Sequence, residues 1–154
     1  MQPSLVADPA PEPATAEEAV LTATVRVGKR LRQRLPGDEF DFSSMALLKT
    51  LATQGPMRLS ALASAVHLDA STVSRQVRTL QDRGLVERTE DPNDGRASQV
   101  GISPHGLRAL EDGGRRRRAL IGNVLADWAD SDRETLRVLL HRLSVDFTNQ
   151  ELPS

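Results

Sequence analysis

The run Asp91-Pro92-Asn93-Asp94-Gly95-Arg96-Ala97 constrains the fold more than any other stretch of the chain. It gathers turn-forming residues between two strand-like segments, Leu85-Val86-Glu87-Arg88-Thr89 and Ser98-Gln99-Val100-Gly101-Ile102, and so predicts a β-hairpin. Arg96 stands at the edge of that hairpin, where a guanidinium can enter a narrow, electronegative minor groove. Asp94 is near enough along the hairpin to hold it by charge-assisted hydrogen bonds. Alone, the segment fits a solvated hairpin tip equally well; the helix before it decides between the two.

That helix is predicted from Ala70 to about Arg83, with Asp69 as its cap. Val73, Val77 and Leu80 recur at i, i+4 and i+7 and define a buried stripe. The opposite face then carries Ser71, Arg75, Arg78 and Thr79, flanked by Thr72, Ser74 and Gln76. These side chains can hydrogen-bond to base edges and phosphates, and arginine can pair bidentately with guanine. Upstream, Ser60 is a cap candidate for a short helix bearing Leu62, Ala63 and Val66, and His67-Leu68-Asp69 makes the turn. Two short helices joined in this way predict a helix-turn-helix.

The flanks are helical. After four prolines within residues 1–13, a segment expected to be a disordered tail, Val20, Thr24, Val27, Leu31 and Leu35 describe a long amphipathic helix stopped at Pro36-Gly37. Phe42-Ser43-Ser44 opens a second helix with a serine cap candidate, ended at Gly55-Pro56. Beyond the hairpin, Ser103-Pro104 starts a long helix through Leu107, Leu110, Leu120, Ile121, Val124, Leu125 and Trp128. Gly113-Gly114 interrupts it and predicts a kink, a close crossing or two segments. Ser131-Asp132-Arg133-Glu134 has the form of a capping box, ahead of a last stripe of Leu136, Leu139, Leu140, Leu143 and Phe147.

Composition narrows the function. The formal net charge of -1 hides an uneven distribution: residues 58–118 hold eleven arginines against eight acidic residues, while residues 1–20 hold four acidic residues and no Lys or Arg. With no cysteine there is no disulfide, thiol sensor or thiolate metal site. His67, His105 and His141 are scattered without acidic partners at ligand spacing, so no metal and no cofactor is expected. No phosphate loop, nucleophile or acid-base pair supports catalysis. No leader or apolar span is visible, and a cytoplasmic location without membrane contact is expected.

The run from Leu80 through Gly84-Leu85-Val86-Glu87-Arg88, the Asp91-Pro92-Asn93-Asp94-Gly95-Arg96-Ala97 wing and the Ser103-Pro104-His105-Gly106 helix start resemble the MarR family of winged-helix transcription regulators over about residues 15–149. The resemblance implies a mainly α fold with a winged helix-turn-helix DNA-binding domain at residues 40–103. Residues 14–36 and 104–150 would form the helical dimerisation region. It implies a homodimer on a pseudo-palindromic operator in double-stranded DNA, with Ser71, Thr72, Ser74, Arg75, Gln76, Arg78 and Thr79 on the recognition helix, Asn93, Asp94 and Arg96 on the wing, and Ser60 at the DNA backbone. It also implies a small lipophilic or phenolic effector that releases a repressor. Many family members carry Arg or Lys where this chain has Asn93, so a second wing cation is missing. The competing expectation is a winged-helix module that docks an acidic protein partner; against it, the basic helix shows no apolar anchor. Arg115 to Arg118 point in four directions on a helix and suit a solvated or intersubunit role. Phe40, Phe42, Trp128 and Phe147 are expected in the core or at dimer contacts.

Overall fold

Thr15 caps helix α1, Ala16–Arg32, by accepting a hydrogen bond from the Glu18 backbone N–H. In this computed structural model residues 11–150 are described, apart from the Arg96 side chain; most of the expected proline-rich tail lies outside them. Helix α1 stops at Gln33, ahead of Pro36-Gly37. Two local effects explain the earlier end: Leu35 precedes a proline, which disfavours helical geometry, and its N–H donates to the Asp38 carboxylate at 2.9 Å.

Helix α2, Phe42–Gln54, is capped by Asp41 and not by Ser43 or Ser44. The Asp41 carboxylate accepts both the Ser44 N–H at 2.9 Å and the Ser43 hydroxyl at 2.7 Å, so the serines are partners of the cap. Gly55, at φ 83°, closes the helix. Helix α3, Leu59–Ala65, likewise starts earlier than Ser60 implies. Arg58 occupies its cap position without a side-chain cap bond, since a guanidinium has no acceptor to offer, and its Nε donates to Asp91 instead. Helix α4, Ala70–Asp82, begins at Asp69 as the sequence predicts.

The hairpin is longer and tighter at its tip than its sequence suggests. Strands β1, Val86–Asp91, and β2, Asp94–Ile102, pair antiparallel with only Pro92 and Asn93 between them. Val86 faces Ile102 and Arg88 faces Val100, and the register shifts between Glu90 and Asp91, so β2 bulges at its start. Met57 adds an antiparallel bridge to Val100, donating its N–H at 3.0 Å and accepting at 2.9 Å.

Leu47, Leu48 and Leu51 of α2, Leu62 of α3, Val73, Val77 and Leu80 of α4, and Leu85, Val86 and Val100 of the hairpin form one buried core. Phe40 joins it, whereas Trp128 and Phe147 are exposed. Removing that much branched aliphatic surface from water is what holds two short helices and a two-stranded hairpin together, since neither is stable alone.

Helix α5, Pro104–Val124, passes through Gly113-Gly114 as one helix, so the glycines do not split it into two segments. The chain divides into two compact units between those same residues, 1–113 and 114–154. Helix α6, Asp130–Asn149, starts after Ala129 with no side-chain cap. The expected box does not form: the helix begins ahead of Ser131, and Glu134 reaches forward to Arg137. Neither α1 nor α6 buries a residue within its own unit.

Candidate nucleic-acid interface

The buried stripe of α4 dictates which side chains are left outside. Val73 and Val77 are wholly buried, and the opposite face exposes Ser71, Ser74, Arg75, Arg78 and Thr79. Neither the Arg75 nor the Arg78 guanidinium is engaged with another described group. The two cations expected to read bases are therefore available to an outside partner.

The start of the helix is less free. The Asp69 carboxylate accepts the Thr72 N–H at 2.8 Å, the Ser71 hydroxyl at 2.5 Å and the Thr72 hydroxyl at 2.8 Å. These bonds, that from Ser71 foremost, hold its carboxyl well below the usual carboxylate range. Each hydroxyl has one hydrogen. While Ser71 and Thr72 give theirs to Asp69, they offer lone pairs outward, which suit the amino groups of adenine or cytosine and not phosphate oxygens.

Gln76 is half-buried and turned toward α2, its Nε2 donating to the Ser43 hydroxyl at 3.2 Å. Its Oε1 is buried with no hydrogen-bond partner among the described residues. Thr79 donates its hydroxyl to the Arg75 carbonyl at 3.2 Å. Ser60 is exposed on the first turn of α3.

In the wing, Asn93 is exposed at the tip and its N–H donates to Asp91 Oδ1 at 2.9 Å. Asp94 accepts from the guanidinium of Arg58 at 3.4 Å, and Arg58 Nε donates to Asp91 at 2.7 Å. The Arg96 backbone lies in β2; its side chain is outside the described set, so its pairing with Asp94 stays an expectation. Arg58 was not singled out by sequence. The one local signal is an arginine standing at the cap position of a helix, where it cannot serve as a cap.

One further contact sets the wing against α4, and another lies within the wing. Arg88 of β1 donates to Gln81 Oε1 at 3.3 Å and to the Ser98 hydroxyl at 3.4 Å. At the base, Gly84 takes φ 69° and its carbonyl accepts the Ser103 hydroxyl at 2.6 Å; Ser103 Oγ in turn accepts the Gly106 N–H at 2.9 Å. The glycine of the turn and the Ser-Pro-x-Gly helix start are thus one junction. Nearby, His105 Nε2 meets the Glu39 carboxylate at 2.6 Å, and Arg83 donates to the Glu39 carbonyl.

Among the described residues no cluster of His, Asp and Glu is arranged to hold a metal ion, and no helix is long and apolar enough to cross a membrane.

The MarR family model matches residues 43–98, from the second residue of α2 into the wing. The HTH-type transcriptional regulator YxaD of Bacillus subtilis is 35% identical over 105 residues, which cover 68% of this chain and 73% of that one. The HTH-type regulator Mb0904 of Mycobacterium bovis is 32% identical over 115 residues, 75% of this chain and 80% of the other. In fold, a MarR family protein from Bacillus stearothermophilus superposes with a TM-score of 0.74 at 21% identity, over 86% of this chain and 93% of that one. A polar, cationic recognition face, a wing braced against it and these relatives converge: the chain belongs to the MarR family of winged-helix, DNA-binding transcriptional regulators, which are not enzymes.

Proposed function

We propose that the protein is a homodimeric repressor that binds a pseudo-palindromic operator and is released by a small molecule. The observation that carries the DNA contact is the exposed face of α4, where Arg75 and Arg78 stand beside Ser74, unpaired among the described residues, over a fully buried aliphatic stripe. In this reading α4 enters the major groove, with Arg75 and Arg78 reaching guanines or phosphates and Ser71 and Thr72 accepting from base amino groups. Asn93 and Arg96 lie along the flanking minor groove, and Ser60 meets the backbone.

Dimerisation is supported by the apolar surface of α1 and of residues 114–150, which includes Leu21, Val25, Val124, Leu139 and Phe147. The effector in this reading is a small lipophilic or phenolic molecule, as the family resemblance implies. Such a ligand releases DNA only as far as it prefers the non-binding arrangement.

The test is a salt titration of binding to the promoter DNA beside the protein's own gene, against random duplex of equal length. Tight, selective binding that falls steeply with salt is expected. Arg75→Ala should cost about 1–3 kcal/mol and relax preference at one base pair. Equally weak binding to both duplexes would favour the rival in which α4 docks an acidic protein.

A further inference from the structure

The wing is a two-stranded hairpin, and such a hairpin is marginal on its own and gains order from what packs or pairs against it. Its base is held by the Met57–Val100 bridge. The next residue, Arg58, reaches past that bridge to the tip, with Nε 2.7 Å from Asp91 Oδ2 and the outer nitrogen 3.4 Å from Asp94 Oδ2. The Asp91 side chain is only 4% exposed, and its carboxylate also accepts the Asn93 N–H and a bond from Gln99. One guanidinium therefore ties two wing carboxylates to the start of α3, across 33 and 36 residues of sequence.

We propose that Arg58 is a positioning residue for DNA recognition: by clamping Asp91 and Asp94 to the start of α3 it fixes the attitude of the wing, and with it selectivity for the base pairs flanking those read by α4. The inference rests on the DNA-binding reading and adds to it a residue outside both the recognition helix and the wing. Its side chain is 47% exposed, so a direct phosphate contact is the alternative the experiment must separate.

The experiment uses the full chain, with duplexes selected by the parent from a random library and copies changed only in their flanks. Arg58→Gln, Arg58→Lys, Asp91→Asn and the Arg58→Gln/Asp91→Asn double variant are compared. The expected result is a loss on the order of tenfold for Arg58→Gln, the double variant no weaker than the worse single one, and a partial recovery with lysine. Discrimination among flanks should collapse while the salt slope and the preference at the α4 bases are kept. Amide exchange at residues 93–97 should quicken in unbound Arg58→Gln, a reading that needs no DNA. If Asp91→Asn fails to fold, Asp94→Asn takes its place in the cycle.

A salt slope reduced by one phosphate contact in Arg58→Gln, with the aspartate variant binding as the parent does, would overturn the proposal in favour of direct contact. So would unchanged exchange in the wing. A parent that selects no sequence would instead overturn the DNA-binding reading beneath it.

Discussion

Gly106 is the residue with least freedom to change. A Cβ built there would lie 2.0 Å from the Leu85 carbonyl oxygen and 2.8 Å from Ile102 Cγ1, and the first of these is backbone with nowhere to go. The α5 helix can start against the hairpin base only because that position has no side chain. Gly106→Ala should destabilise the protein by at least about 1–3 kcal/mol, read as a lower denaturant midpoint at unchanged slope. At Asp69 the argument runs through protons. Hydrogen bonds from Ser71 and Thr72 depress its carboxyl in the folded state. A depressed carboxyl contributes stability above its unfolded value, about pH 4, and that contribution fades as pH falls through the lower folded value. Asp69→Asn should therefore be less stable than the parent at pH 7, and the gap should narrow steadily on acidification below about pH 4. A gap independent of pH would mean that cap geometry, not charge, is what Asp69 contributes.

Helix α5 spans the boundary between the two units without breaking, although it carries two adjacent glycines there. Each should cost it about 1 kcal/mol relative to alanine. At Gly114 an added Cβ would meet only the flexible end of Arg118, at 3.4 Å. Gly114→Ala should raise stability by up to about 1 kcal/mol in thermal or denaturant unfolding; a loss would show that this face lies against something the isolated protomer does not contain. The same elements show what a sequence can disclose. The buried stripe of α4, the Asp69 cap and the Ser103 start of α5 follow from spacing within one element, and each was predictable. The caps of α2, α3 and α6 were not, because serines near a helix start fit the cap and the first turn equally well. Which one applies depends on where the preceding chain is held: Asp41 takes the role in α2, and in α3 the cap position falls on Arg58, which has no acceptor to fill it. Gln76 resembled a base reader by its position on α4, yet its partner Ser43 lies 33 residues away. Long-range pairing of this kind leaves no periodic trace, and Arg58 escaped notice for the same reason.

At the scale of the whole molecule the question is how a protein of net charge -1 holds DNA selectively. One recognition helix offers two exposed arginines and a few hydroxyls, and phosphate attraction from so small an excess of charge is weak. Two such helices fixed at the spacing of successive major grooves change the arithmetic. The second half-site then binds as an intramolecular step, which can gain 100-fold or more in affinity, on the order of 10²–10⁴, without any new contact. In the proposed dimer, the apolar side chains that α6 leaves in solvent, among them Leu139 at 56% and Leu140 at 54% exposed, are where the second copy would attach. The parent should therefore sediment at twice its 16.8 kDa chain mass. Replacing Leu139 and Leu140 together by glutamate should give a folded monomer with unchanged helical circular dichroism. That variant should lose operator affinity by on the order of 100-fold while holding an isolated half-site as well as a parent protomer does. A variant that stays dimeric would exclude this stripe as the interface, and a monomer that keeps full operator affinity would show that one recognition helix with its braced wing suffices.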